Sequence, residues 1–257
     1  LALVPTRELC EQVANEFIKF SKYKPVKVTT VYGGVAIGPQ IRNLCDADIV
    51  VGTPGRILDH LGRRTLDLRN VLFLVLDEAD KMLEMGFIDD VEDILRHVPK
   101  QRQTLLFSAT ISSEIVHIAQ KHMINPQKVE TKIYFDKSKL KQIYYNVLGG
   151  DKFSLLVHLL KKENPKMAII FCATRRRVDL VAGNLRKQGI NVLPIHGGLT
   201  QARRTQIMES VKAHKVDGLV ATDVAARGID SKNVTHICND DLPKTSKEYL
   251  HRIGRTA

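Results

Sequence analysis

The stretch VLFLVLDEAD, residues 71–80, decides the fold of this chain. Its first six residues are apolar and rich in valine and leucine, which predicts a strand buried on both faces, as in a parallel sheet. Three carboxylates follow at Asp77, Glu78 and Asp80. Because α/β sheets bind ligands at the carboxyl ends of their strands, the stretch predicts a site at which Asp77 holds Mg²⁺ and Glu78 orients or deprotonates water. An acidic helix N-terminus stabilised by the helix macrodipole is the simpler alternative.

The charge of the chain is distributed unevenly. Lysine and arginine outnumber aspartate and glutamate by 23 to 11 in residues 131–257, whereas the counts in residues 1–130 are 16 and 17. At about 150 residues per domain, 257 residues suffice for one large domain or two smaller ones. The basic second half favours two domains and a polyanionic partner such as nucleic acid. A basic surface that serves only solubility is the alternative.

Short apolar runs alternate with amphipathic stretches in both halves, which predicts βαβ units and parallel sheets. A charged stretch interrupts this alternation near residues 130–140. We therefore expect a first domain at residues 1–130, a linker at 131–140 and a second domain at 141–257. The predicted strands cover residues 1–4, 26–31, 49–51, 71–76, 104–107, 142–147, 167–171, 191–194, 218–221 and 234–238.

Several kinds of site are excluded by the sequence. The four cysteines form no Cys-x-x-Cys pair, so neither a metal cluster nor a disulfide framework is expected. No apolar run is long enough to span a membrane, and residues 1–19 lack the layout of a signal peptide. The near match to a phosphate-binding loop at residues 33–40 has Pro-Gln where Lys-Ser or Lys-Thr is required, which excludes a P-loop there.

The motifs of the chain resemble those of the DEAD-box ATP-dependent RNA helicases of superfamily two. Nine of them occur in the family's order, so the chain is identified as a member of that family. The resemblance implies two RecA-like α/β domains with parallel sheets flanked by helices. In the first half the motifs are Ia (PTREL, residues 5–9), GG (33–34), Ib (TPGR, 53–56), II (DEAD, 77–80) and III (SAT, 108–110). In the second half they are IV (IFCAT, 170–174), QxxR (201–204), V (ATDVAARGID, 221–230) and VI (HRIGRTA, 251–257).

The family's Q motif and P-loop do not precede motif Ia in this sequence, and the sequence stops within motif VI. We therefore expect the first domain to be incomplete at its N-terminus. Residues 1–257 alone are expected to bind ATP poorly and not to hydrolyse it.

The resemblance implies an ATP-hydrolysing site that uses ATP and Mg²⁺ as cofactors. It assigns Mg²⁺ to Asp77, water activation to Glu78 and an arginine finger on the γ-phosphate to Arg255. Outside the family context, Arg255 would be a surface arginine of a basic domain. The remaining implied contacts join Asp80 to Ser108 and Thr110 and bring Asp230 to the nucleotide ribose.

The resemblance also implies RNA as the partner, bound through phosphates and 2′-hydroxyls with little sequence specificity. Glycine amides, helix N-termini and arginines are natural phosphate ligands, although each such glycine or arginine alone also suits a turn or a solvated surface. The triplet Arg175-Arg176-Arg177 is either a further RNA patch or a solvated helix start. The implied RNA contacts are Thr6, Arg7, Gly34, Thr53 and Arg56 in the first half and Gly197, Arg204 and Thr222 in the second.

Two other functions compete with an RNA helicase. An RNA-binding or annealing module would work without ATP, which the missing P-loop permits. A helicase-like translocase would act on DNA, although the literal DEAD and PTREL motifs favour RNA. We expect a monomer located in the cytoplasm, with the nucleus as the alternative.

Overall fold

Two parallel sheets organise the chain, one in each of two units, Leu1–Glu130 (unit 1) and Thr131–Ala257 (unit 2). The computed structural model describes residues 1–130, 140–226 and 234–254. Helices pack on both faces of each sheet, and the predicted fold class is confirmed. Within the described ranges, no helix combines the length and apolar character needed to cross a bilayer.

Unit 1 contains a five-stranded sheet in the order β2-β3-β1-β4-β5, with all neighbouring strands parallel. One face of the sheet packs on α3, α5 and α6, and the other packs on α1. The strands are β1 (Ala2–Leu3), β2 (Val28–Val31), β3 (Ile49–Gly52), β4 (Phe73–Leu76) and β5 (Gln103–Leu106). The helices are α1 (Arg7–Phe20), α2 (Ile37–Leu44), α3 (Pro54–Gly62), α4 (Ala79–Glu84), α5 (Ile88–His97) and α6 (Ser113–His122), with a 3-10 turn at Ser21–Tyr23.

Unit 2 contains a four-stranded parallel sheet in the order β7-β8-β6-β9. Helices α7 and α8 cover one face, and α9 and α10 cover the other. The strands are β6 (Ala168–Phe171), β7 (Val192–Ile195), β8 (Gly218–Ala221) and β9 (His236–Asn239). The helices are α7 (Lys152–Glu163), α8 (Arg175–Lys187), α9 (Gln201–Lys212), α10 (Asp223–Ala226) and α11 (Ser246–Ile253).

Threonine N-caps fix where several helices begin after the strands. The hydroxyl of Thr6 accepts a hydrogen bond from the Leu9 amide at 3.3 Å, and Thr174 accepts one from the Arg177 amide at 3.1 Å. A threonine oxygen in this position satisfies one of the amides that the first helical turn leaves unpaired. Only three residues separate β1 from α1 and β6 from α8, which holds the N-termini of both helices at the carboxyl edge of each sheet.

Two strand predictions need correction. Strand β4 was expected to be buried on both faces, but Phe73 is 57% exposed, whereas Leu74 and Leu76 are buried. The predicted strand at residues 142–147 is wrong, because the structure has no regular element there and Tyr144 is 86% exposed. Alternating β-branched and aromatic residues form a strand only where a neighbouring strand pairs with them, and none does here among the described residues.

Candidate functional site

The carboxyl edge of the unit 1 sheet divides into two parts at the boundary between β1 and β4. The chain leaves β1 toward β2 and β3 on one side and then crosses to β4 and β5 on the other. The β1-to-β2 and β4-to-β5 connections therefore run in opposite directions, and open α/β sheets bind ligands in the crevice outside the strand ends at such a switch point. The predicted RNA residues follow β1, β2 and β3, and the predicted ATP residues follow β4 and β5.

Asp77 begins the acidic side of the crevice directly after β4. Its amide donates to the Leu3 carbonyl at 3.0 Å, and its Oδ1 accepts a hydrogen bond from the Glu78 amide at 2.9 Å. Burial raises the pKa of Asp77 above its ordinary value, although the Glu78 amide lowers it in part, and the Glu78 charge adds to the rise. A partly buried carboxylate in an acidic neighbourhood is one that a divalent cation would stabilise.

Glu78 occupies an uncommon backbone conformation. Its φ angle is 49°, in the left-handed region, and it caps the N-terminus of α4. Its Oε1 lies 3.3 Å from the amine of Lys81 on the first turn of that helix. Because a non-glycine residue reaches this region only at an energetic cost, the packing around the turn must impose it, as occurs at many functional sites.

Asp80 connects the acidic motif to the residues after β5. Its Oδ2 accepts a hydrogen bond from the Thr110 hydroxyl at 2.8 Å. Ser108, which the resemblance also pairs with Asp80, instead donates to the Thr110 carbonyl at 2.7 Å. The Ala79 amide donates to the Phe107 carbonyl at 3.0 Å, so the segments after β4 and β5 are joined by backbone as well as side-chain bonds.

Two arginines converge on the glycine turn after β2. A Cβ atom at Gly34 would lie 2.2 Å from Arg7 Nη1, and the φ angle of Gly34 is +81°. A Cβ atom at Gly33 would lie 3.6 Å from Arg7 Nη2 and 3.9 Å from Arg56 Nη2. The positive φ angle strains any other residue at Gly34, and two guanidinium groups from α1 and α3 lie against the same turn. This arrangement is suited to a phosphate group.

The other predicted RNA residues of unit 1 lie at helix N-termini on this edge. Thr6 is the N-cap of α1, immediately before Arg7. Thr53 is the N-cap of α3, and its hydroxyl makes no capping hydrogen bond. Its amide donates to the Val31 carbonyl at 2.9 Å, which ties the start of α3 to the end of β2.

Unit 2 carries its predicted RNA residues after β7 and β8. Gly197 is exposed, and a Cβ atom there would lie 3.4 Å from Arg175 Nη2, much as Arg7 lies against Gly33. Arg204 lies on the first turn of α9, and the Thr222 amide donates to the Ile195 carbonyl at 3.3 Å. The three arginines at 175–177 have different surroundings. Arg177 Nε donates to Asp240 Oδ2 at 2.8 Å, whereas Arg175 is exposed.

Asp230 and Arg255, which the resemblance assigns to the nucleotide, lie outside the described residues. Sequence reasoning missed a neighbouring buried ion pair. Arg252 is 3% exposed and pairs with both carboxylate oxygens of Asp223 at 2.6 and 2.7 Å. Its guanidinium also lies 4.7 Å from the centre of the Phe171 ring. The pair ties motif VI to motif V, and the only signal for it in the sequence is that both residues lie inside motifs.

Comparison with known proteins gives matches over both units. A family model described as DEAD/DEAH box helicase matches residues 1–118, and one described as Helicase conserved C-terminal domain matches residues 151–257. The DEAD-box ATP-dependent RNA helicase CshA of Bacillus subtilis is 48% identical over the whole chain, and the ATP-dependent RNA helicase CshA of Listeria monocytogenes is 50% identical. The chain spans about half of these curated relatives, 52% and 50% of their lengths.

Solved structures agree with these matches. A DEAD box protein from the hyperthermophile Methanococcus jannaschii is 44% identical, with 99% of this chain and 69% of that chain covered and a TM-score of 0.52. S. cerevisiae Dbp5 bound to RNA and ADP BeF3 is 30% identical, with 99% and 66% covered and a TM-score of 0.87. The chain belongs to the DEAD-box helicase family.

Proposed function

We propose that the chain is the core of an ATP-dependent RNA helicase, which couples ATP hydrolysis to RNA binding without sequence specificity and to local duplex unwinding. The observation that carries the proposal is the divided edge of the unit 1 sheet. Asp77 and Glu78 follow β4 on one side of the crevice, and Arg7 and Arg56 meet at the glycine turn on the other. The residues proposed for ATP hydrolysis and those proposed for RNA binding therefore lie at the same edge of the unit 1 sheet.

The acidic side supports ATP hydrolysis. The donor set fits Mg²⁺, because Asp77 offers a hard carboxylate oxygen whose charged form is disfavoured without a cation. When bound, Mg²⁺ would neutralise phosphate charge during phosphoryl transfer. Glu78 would orient the attacking water and accept its proton, held in place by the left-handed turn before α4. In the same proposal Arg255 acts as the arginine finger and Asp230 contacts the ribose.

The link between Asp80 and Thr110 supports coupling between the two segments that flank the ATP side. A charged hydrogen bond at 2.8 Å fixes the segment after β5 relative to the acidic motif. A movement of either segment on nucleotide binding would therefore shift the other. Ser108 takes part through the Thr110 carbonyl rather than through Asp80.

The RNA side supports backbone recognition. Its groups are guanidinium groups, glycine amides and threonine-capped helix N-termini, which suit phosphates and not base edges. The same groups recur in unit 2 at Gly197, Arg204 and Thr222. We also propose the domain limits 1–130 and 141–257 with a linker at 131–140, a monomeric state and a cytoplasmic location.

The decisive experiment measures ATP turnover by the full-length protein that contains this chain, with and without single-stranded RNA. RNA should stimulate turnover, and Glu78→Gln should lower the stimulated rate at least about 100-fold, because it removes the group that accepts the proton. In the presence of ATP, Glu78→Gln should also retain RNA longer than the unmodified protein does.

The matched control is Glu84→Gln on the last turn of the same helix α4, which should leave turnover unchanged. RNA binding without any ATP turnover would instead support an ATP-independent RNA-binding or annealing module. Equal stimulation by single-stranded DNA would support a DNA translocase.

A further inference from the structure

Gln40 lies on α2, outside every motif of the family, and is only 6% exposed. Its side-chain amide connects two parts of the candidate RNA site. The Nε2 atom donates to the Tyr32 carbonyl at 3.0 Å, one residue before the glycine turn. The Oε1 atom lies 3.4 Å from Arg56 Nη1 and 3.2 Å from His60 Nε2. Tyr32 directly follows β2, and Arg56 and His60 lie on α3.

The chemistry of the partners fixes the orientation of this amide. Arginine can only donate hydrogen bonds and a carbonyl can only accept them, so Oε1 must face Arg56 and Nε2 must face the Tyr32 carbonyl. His60 Nε2 must then carry a proton and donate to the second lone pair of Oε1. The hydrogen bonds of the amide are thus satisfied in one orientation only, and in that orientation its Oε1 accepts a hydrogen bond from Arg56.

His60 anchors the amide from inside the unit. It is fully buried, and its Nδ1 lies 2.8 Å from the Thr65 hydroxyl oxygen, which also lies 3.2 Å from the His60 carbonyl. Burial lowers the pKa of His60, and the positive charge of Arg56 lowers it further. The ring is therefore neutral near pH 7, with the tautomer that Gln40 requires.

Arg56 is held on its other side by backbone. Both of its Nη atoms donate to the Val35 carbonyl at 3.2 Å. The carbonyl and the Gln40 amide together fix the guanidinium beside Gly33, and the side chain is only 14% exposed. A guanidinium restrained in this way has less rotational freedom to lose when it binds a phosphate.

We propose that Gln40 is a positioning residue for RNA binding, whose amide, anchored by His60, holds the Arg56 guanidinium at the Gly33-Gly34 turn for a backbone phosphate. The inference rests on the proposed function, because it assigns a phosphate to Arg56. If Gln40 only satisfied buried polar groups, its loss would lower stability and leave RNA affinity unchanged. The two roles therefore differ in what they predict for RNA.

A double-mutant cycle of Gln40→Met and Arg56→Ala tests the inference. Binding of fluorescently labelled oligouridylate to the full-length protein that contains this chain is measured by anisotropy, in the presence of ATP and at several salt concentrations. Arg56→Ala should weaken binding about tenfold, by the loss of one charge-assisted contact. Gln40→Met should weaken it about fivefold in the unmodified chain and not at all in the Arg56→Ala background. Gln40→Met should also make RNA affinity depend less on salt concentration, although Gln40 is uncharged. The reason is that Arg56 would no longer be held beside the phosphate.

Two further variants control for folding. Ile115→Val removes one buried methylene on α6 and should lower stability without changing RNA affinity. Gln40→Glu keeps an oxygen toward Arg56 and replaces Gln40→Met if that variant does not fold. Its effect on binding should likewise disappear in the Arg56→Ala background.

Each outcome decides between the inference and the proposed function. The positioning role would be overturned if the Gln40 variants lost the same RNA affinity in the unmodified and the Arg56→Ala backgrounds, or lost none in either. The proposed function would remain intact. A full-length protein with native circular dichroism that binds no oligouridylate at low salt in the presence of ATP would overturn RNA binding at this edge, and the positioning role with it.

Discussion

Unit 1 and unit 2 both place two consecutive carboxylates directly after a corresponding strand, and the surroundings of the two pairs differ. Strand β4 lies beside β1 as β9 lies beside β6, each across the boundary where the strand order reverses. Asp77 and Glu78 follow β4, and Asp240 and Asp241 follow β9. The backbone therefore offers the same place for a ligand in both sheets.

In unit 2 the carboxylates are neutralised by the chain itself. The Asp240 side chain is 1% exposed, and its Oδ2 lies 2.8 Å from Arg177 Nε and 3.6 Å from Lys152 Nζ. Asp241 pairs with Lys152 at 3.0 Å and accepts a hydrogen bond from the Ala173 amide at 2.9 Å. The side chain of Asp241 thus takes the amide that would be available to a bound anion at the end of β6.

The pKa shifts of Asp77 and Asp241 consequently have opposite directions. Burial raises the pKa of Asp77, and Lys81 is the single cation that counters the shift. Burial also acts to raise the pKa of Asp241, but the Ala173 amide and Lys152 outweigh it, so the pKa lies below its ordinary value. The comparison teaches that counter-charges, rather than strand position, determine which carboxylates remain available to a metal ion.

The same counter-charges also argue against metal binding at three unit 2 residues whose spacing resembles that of metal ligands. Single ligand atoms of Cys172, Asp240 and Asp241 lie within 4.8 Å of one another. Burial raises the pKa of the Cys172 thiol to about 12, so it stays protonated near pH 7. With two cations already beside the carboxylates, the cluster is a closed ion-pair network rather than a metal site.

The largest expected difference between the units concerns the removal of one carboxylate. Asp240→Asn should lower the free energy of unfolding by about 3 kcal/mol, because it leaves Arg177 partly buried without its partner. Asp77→Asn should not lower it, since burial already disfavours the charged form of Asp77. Urea unfolding at pH 7, followed by circular dichroism, measures both changes.

Two results would bear on this prediction. Combining Asp240→Asn with Arg177→Met should destabilise the chain by less than the two single changes together, because both remove the same pair. If Asp77→Asn and Asp240→Asn lowered the free energy of unfolding equally, the proposed difference between the units would be wrong, because the two sites would then be neutralised alike.

A smaller effect is expected in the pH dependence of stability. The pKa of Asp241 is lower in the folded chain than in the unfolded chain, so its ionised form favours folding. This stability is present above about pH 4 and is lost as the pH falls through the folded pKa. Asp241→Asn should therefore destabilise the chain by about 0.5 kcal/mol at pH 7, after allowance for solvent screening, and by less at pH 3. A difference that grew toward pH 3 would contradict the sign of the shift.

Much of the fold follows from local sequence patterns. Strand β4 is recognisable because an apolar run ends abruptly in Asp77, and strand β8 because residues 218–221 are apolar between polar segments. Helix α4 is harder to recognise, since its six residues are too few to show a helical period. The segment at 142–147 shows the limit of strand propensity, which needs a pairing partner that a local pattern does not reveal.

The candidate site divides in a similar way. The motifs mark Asp77, Arg7 and Arg56, because their spacing places them at strand ends. Gln40 and the partners of Asp240 carry no such mark, because their roles arise from contacts between residues far apart in the chain. Lys152 and Asp241 are 89 residues apart, so no pattern within one element predicts their pairing.

The smallest expected effect concerns the single cation of the unit 1 pair. Lys81→Met should lower the free energy of unfolding by about 0.3 kcal/mol, because a pair three residues apart on one helix contributes little when Glu78 remains a third exposed. Lys81→Arg keeps the charge and should leave the stability unchanged. Urea unfolding of both variants, compared with Lys152→Met in unit 2, measures how tightly each acidic pair is neutralised. A loss above about 1 kcal/mol for Lys81→Met would exceed the usual range of such pairs and show that Lys81 neutralises Glu78 firmly. A small loss would mean that the carboxylates after β4 are held loosely enough to exchange Lys81 for a metal ion.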